Sequence, residues 1–106
     1  MKIVEYLTAD DTSPFRAWFD KLDSRAAAKI TTALIRIGMG NLSNVESVGG
    51  GVYERKIDYG PGYRIYFGMD GKEFVVLVGG GTKKRQALDI ATAREHWTDY
   101  KKRKRE

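Results

Sequence analysis

Glu54, Arg55 and Lys56, then Arg64, then Lys83, Lys84 and Arg85 stand on three successive segments of this 106-residue chain. Cations gathered from separate strands form a site for a polyanion, which points to phosphate chemistry or nucleic-acid binding. Arg64 supplies a planar guanidinium fork matched to a phosphate, and Lys56 adds a point charge. The same residues also read as an ordinary cross-strand or same-face ion pair, Glu54 with Lys56 or Glu54 with Arg64. Gly79-Gly80-Gly81-Thr82 precedes a helical pattern, and amides at a helix start hold anions; a plain strand-to-helix turn has the same composition. His96 is a candidate acid or base or a solvated helix histidine. The six tyrosines offer surfaces on which bases stack, or core and rim packing.

These residues need a sheet to position them. Strands are expected at about 52–58, 62–69 and 73–80, joined at Tyr59-Gly60-Pro61-Gly62 and at the Asp70-Gly71 hairpin turn. Loops this short make the three an antiparallel meander. The run Phe74-Val75-Val76-Leu77-Val78 is continuously apolar, the pattern of a central strand buried on both faces. Alternation puts Val52, Glu54, Lys56 and Asp58 on one face of the first strand and Tyr53, Arg55 and Ile57 on the other. On the second strand Arg64 and Tyr66 share a face opposite Tyr63, Ile65 and Phe67. The apolar sets claim the core, which leaves Glu54, Lys56, Arg64 and Tyr66 on an open face. Arg55 is the misfit: it either snorkels from an edge or pairs with an acidic helix residue.

A short strand is expected over Lys2 to Leu7. Ser13-Pro14 reads as an N-cap and first helical position for a helix to about Leu22. Ser24 can cap a second helix from about Arg25 to Ile37, whose stripe is Ala27, Ile30, Ala33, Leu34 and Ile37; Gly38 and Gly40 end it. Residues 41–51 read as a polar, glycine-ended connection. Thr82 can cap a last helix, from about Lys83 or Arg85 to Lys101, with Ile90, Ala93, Trp97 and Tyr100 on one face. The expected fold class is α+β, with order β-α-α-β-β-β-α, two helices on one sheet face and the last helix near the sheet end or edge.

The totals bound the function. One domain spans residues 1–106, with a basic C-terminal tail. There is no cysteine and a single histidine, so neither a disulfide framework nor a thiolate or His-rich metal site is expected. No segment approaches the ~18 apolar residues of a membrane span. The N-terminus lacks the apolar core of a signal peptide, so a cytoplasmic location is expected. Residues 1–81 hold ten Lys/Arg and ten Asp/Glu, so the whole net charge of +5 lies in residues 82–106. That asymmetry points to nucleic acid or an acidic partner; a solvated basic terminus looks the same.

The segments GVYERKIDYGPGYRIYF and VVLVGGGTKKRQALDIATAREHW, with the early strand and the SPFRAWFDKLD helix, make most of the chain resemble the phage-derived addiction-module killer branch of the RelE/HigB toxin superfamily. The resemblance implies a RelE-like small curved antiparallel sheet with the same order of elements. It implies a type II toxin that cleaves mRNA, mostly on the translating ribosome, without metal or other cofactor. In that chemistry a 2′-hydroxyl attacks the adjacent phosphate. By this resemblance Arg64 is the phosphate or transition-state ligand. Lys56 is a base or electrostatic stabiliser, and Lys83 is the cation after the glycines. Glu54 stands where ribosome-dependent RelE toxins often carry a cation, so Glu54 and Lys56 are both candidates for the general base. Arg55, Tyr66, Lys84 and Arg85 are candidates for RNA contact. The implied partners are mRNA, the ribosome and a small helix-turn-helix DNA-binding antitoxin, with no membrane. The alternative is a toxin-like binding module with weak or no catalysis.

Overall fold

The computed structural model describes residues 1–105. In chain order the elements are β1 (Lys2–Glu5), α1 (Pro14–Phe19), α2 (Ser24–Gly38), β2 (Val45–Ser47), β3 (Val52–Ile57), β4 (Tyr63–Asp70) and β5 (Phe74–Thr82). A 3-10 turn (Lys83–Arg85) then leads into α3 (Gln86–Lys104). The fold is α+β, a five-stranded sheet in the order β1-β5-β4-β3-β2.

The meander is present as expected, but the sheet is mixed rather than antiparallel. β1 lies parallel to β5, with Ile3 opposite Val75 and Val4 opposite Val76. The chain crosses one face through α1 and α2 before the meander forms, and such a crossover permits a parallel neighbour. β1 is also shorter than expected, ending at Glu5. β2 is an unanticipated strand within the connection read as irregular; Val45 to Ser47 pair with Arg55 to Tyr53. It is only three residues long, two of them exposed, so it leaves no alternating pattern to read.

The helix starts follow from side-chain capping. Ser13 Oγ accepts from the Arg16 amide at 3.0 Å, and Pro14 opens α1. Asp23, not Ser24, caps α2: its Oδ1 accepts from the Ala26 amide at 2.9 Å. A carboxylate placed at the dipole's positive end displaces the hydroxyl in that role. α1 and α2 cover one sheet face, where Phe15, Ile30, Ala33 and Ile37 pack with Ile65, Phe67, Val75 and Leu77. Glu5 ties this layer to β1, accepting from Ser13 Oγ and from Arg16 Nη2, each at 2.7 Å.

α3 departs from expectation. It lies across the second sheet face, where Ala93 and Trp97 pack with Val52, Tyr66, Val76 and Val78. The reason is the double-sided apolarity of β5: Val76 and Val78 need a cover as much as Val75 and Leu77 do. Glycine lets the layers approach closely. A Cβ on Gly68 would fall 2.4 Å from the Trp97 ring, and one on Gly80 would fall 2.1 Å from the Trp18 ring on the opposite face. Among the described residues no helix is long and apolar enough to cross a membrane.

Two measurements check this packing. Gly68→Ala should destabilise by about 1–3 kcal/mol through overpacking against Trp97. Gly79→Ala, whose Cβ would meet nothing within 4 Å, should be neutral or slightly stabilising. Urea unfolding of the two variants reads the difference, and equal costs would refute the close-approach argument. The second measurement concerns acid. The hydrogen bond from Arg16 leads in holding the Glu5 pKa below its ordinary value, opposed by burial and helped by Ser13. An acid whose folded pKa is depressed stabilises the fold above its unfolded value of about 4.3, and that stability is lost as pH falls through the folded value. The stability gap between wild type and Glu5→Gln should therefore be widest near neutrality and close on acidification.

Candidate functional site

The expected sharing of one face is found, and the register sets Lys56 opposite Arg64 and Glu54 opposite Tyr66. The expected openness of that face is not. Glu54 is 1% exposed, Tyr66 0% and Arg64 7%, because α3 and the turn before it close over them. Gln86, the first residue of α3, donates from Nε2 to both Glu54 carboxylate oxygens, at 3.1 and 2.9 Å. Arg64 Nε stands 3.8 Å from Glu54 Oε2, an ion pair beyond hydrogen-bond length. Of the two pairings open from sequence, Glu54 therefore takes Arg64. Lys56 turns instead to Glu46 on β2, at 3.5 Å near the surface. Tyr66 is not available to stack on a base. Its buried hydroxyl has no hydrogen-bond partner. Burial, and then the Glu54 carboxylate, push its pKa upward.

A single carbonyl organises the end of the sheet. Gly62 O accepts from Arg64 Nη1 at 2.7 Å and from the Lys83 amide at 2.9 Å. Gly62 has φ +79, a left-handed conformation that glycine adopts without cost. A Cβ there would sit 3.0 Å from Arg64 Nη1 and 3.4 Å from the Lys83 Cβ. The backbone thus brings Lys56, Arg64 and Lys83 from three elements to one corner, while the Lys56 ammonium itself turns to Glu46. Lys84 and Arg85 follow on the surface, with Arg85 Nε 3.9 Å from Asp89 Oδ1.

The triglycine is neither an anion loop nor a turn. Gly79, Gly80 and Gly81 are strand residues of β5, opposite Tyr66, Ile65 and Arg64. Thr82 makes no side-chain cap, and the Lys83 amide is already bonded to Gly62. Glycine at 81 serves α3: a Cβ there would lie 1.9 Å from Asp89 Oδ2. That oxygen is buried without a partner, and burial raises the Asp89 pKa against the opposing pull of Arg85. Gln86 and Asp89 lie within the segment that carries the resemblance but were given no site role from sequence, and Gly62 was read only as part of the Tyr59-Gly60-Pro61-Gly62 turn.

Arg55 is separate from this corner. It faces the α2 layer, 5% exposed, with Nε and Nη1 buried and lacking hydrogen-bond partners. Among the described residues it pairs with no acid, and it does not snorkel to the surface. Burial first, and then the charge of Arg36, push its pKa down. His96 is also elsewhere, half-buried with its ring 4.9 Å from that of Tyr6. The basic tail is helical to Lys104. Arg103 pairs with Asp99 at 2.7 Å, and Lys104 pairs with Asp70. Among the described residues no group of three His, Asp or Glu side chains is placed to hold a metal.

The Gln86 clamp is testable. Gln86→Ala leaves a buried carboxylate short of two donors and should cost about 1–3 kcal/mol in urea unfolding. Adding Glu54→Met should recover part of that loss, because the two residues share one interaction; strict additivity would show that they are uncoupled.

No protein-family model matches the chain. It is 39% identical over 84 residues to an uncharacterized protein of Haemophilus influenzae, an alignment covering 78% of this chain and 85% of that protein. Identity of that level along most of both lengths makes the chain a member of the same family as the Haemophilus influenzae protein.

Proposed function

We propose that the chain is a RelE/HigB-like toxin of a type II toxin–antitoxin system, an mRNA endoribonuclease working without metal on the translating ribosome. The observation that carries this reading is the corner at the Gly62 carbonyl, which draws Arg64 and Lys83 beside Lys56. Three cations from three elements suit the pentavalent phosphorane formed when a 2′-oxygen attacks the neighbouring phosphorus. As the 2′-oxygen–phosphorus bond forms, its proton passes to water. As the phosphorus–5′-oxygen bond breaks, the Lys56 ammonium protonates the departing oxygen, leaving a cyclic phosphate. Glu54, with both oxygens held by Gln86, positions Arg64 rather than taking the proton. Lys84 and Arg85 extend the cationic surface along the RNA. The RelE-like topology, a helix-turn-helix antitoxin and a cytoplasmic location belong to the same reading.

One observation favours a second reading. Glu54 and Tyr66 lie closed beneath α3, so a module that binds RNA or an antitoxin without cleaving is the competing function. Induction in growing cells with mapping of mRNA 5′ ends separates the two. Lys56→Gln and Lys83→Gln change exposed side chains, so loss of function in them is not loss of fold. The toxin reading expects cuts within translated codons and a loss of roughly 100-fold in cleavage for each variant. RNA binding that weakens with salt, with intact messages, supports the binding module. Unaltered growth with no RNA binding overturns both.

A further inference from the structure

The groove between α2 and the end of β3 holds a feature the proposed corner does not use. Arg55 lies at its base, 95% hidden from solvent by its 5% exposure, with Nε and Nη1 unpartnered. The groove has a volume of about 270 Å³, and its lining includes Lys29, Arg36, Thr32, Asn44 and Tyr59. Asp58 is the one acid in that lining among the described residues, and it is solvent-exposed and does not partner Arg55 Nε or Nη1. A buried guanidinium without a counter-charge is costly, and a second cation beside it adds to the cost. Burial and Arg36 both oppose the charge on Arg55. The fold nevertheless keeps this arrangement, with Asn44 in the lining and the Thr32 hydroxyl already given to the Ala28 carbonyl.

We propose that this groove is a binding site for a phosphate group, held at its base by Arg55 and at its mouth by Arg36 and Lys29. Two guanidinium groups and an ammonium exceed what a single carboxylate neutralises, and they suit a ligand with three or more acceptor oxygens and up to two negative charges. The Tyr59 ring, with Lys29 Nζ 5.3 Å from its centroid, stands beside the groove and can take the apolar face of an attached nucleoside. The site is on the α2 side of the sheet. Lys56 also borders the groove, but the phosphate site uses Arg55, Arg36 and Lys29, none of which belongs to the corner at Gly62, and it does not rest on the toxin reading.

The test is an NMR titration at constant ionic strength that follows the Arg55 Nε–H signal, with two probes: inorganic phosphate and a short single-stranded oligoribonucleotide. A saturable shift with either probe, weakened about tenfold by Arg36→Gln or Lys29→Gln, supports the site. Both substituted residues are exposed, so the variants remain folded even if Arg55→Met does not. Tighter binding of the oligoribonucleotide assigns the phosphate to an RNA backbone, and equal binding assigns it to a free phosphate. No shift up to tens of millimolar phosphate with no shift from the oligoribonucleotide overturns the proposal. So does a shift that both variants leave unchanged.

Discussion

Val75, Val76, Leu77 and Val78 are all buried in the middle of β5, and alternation sends successive residues to opposite faces of the sheet. Neither face can therefore be left to water. α1 and α2 answer for Val75 and Leu77, and α3 answers for Val76 and Val78. Once both covers are in place, every charged residue on β3 and β4 is either buried or pushed towards a strand end. Glu54, Arg64 and Tyr66 fall under α3. Lys56 and Lys83 escape because they sit where the cover ends. The position of the cationic corner at Gly62 is thus a consequence of the core, not of the charges themselves.

Close approach is the second consequence. A helix carrying Trp97 can reach the sheet only where Gly68 leaves room, and α3 can begin over β5 only because Gly81 leaves room for Asp89. Gly80 does the same for Trp18 on the opposite side. This gives the triglycine a packing role on both faces at once. A motif whose composition suits either an anion-holding helix start or a plain strand-to-helix turn is here a thin place in a sheet squeezed between two layers.

The sequence made the meander, its turns, most of the α2 stripe and the shared face of Lys56 and Arg64 legible, because each depends on local periodicity or turn chemistry; in the stripe Ala26, not Ala27, is the buried alanine. It did not reveal what α3 covers, because a helix pattern states that one face is apolar without saying which surface receives it. The open-face assignment of Glu54, Arg64 and Tyr66 failed for that reason. The Gln86 clamp was invisible for a related one: residues 54 and 86 meet only after β4, β5 and the 3-10 turn are all in place. β2 was missed because its pairing with β3 comes from proximity after the left-handed turn at Gly49 to Gly51, with no pattern of its own.

Glu54 and Arg55 show most directly how the pleat distributes charge. They are adjacent in sequence, opposite in sign and both buried, yet they point to opposite faces and cannot neutralise each other. Glu54 enters the α3 layer and finds Gln86 and Arg64. Arg55 enters the α2 layer, where Arg36 is its charged neighbour, and among the described residues it pairs with no acid. Exchanging the two signs would put a cation beside Arg64 and an acid beside Arg36. The chain as it stands does the reverse: the acid closes the face where the sequence led one to look for an anion site, and the uncompensated cation lies on the face that looked like plain core.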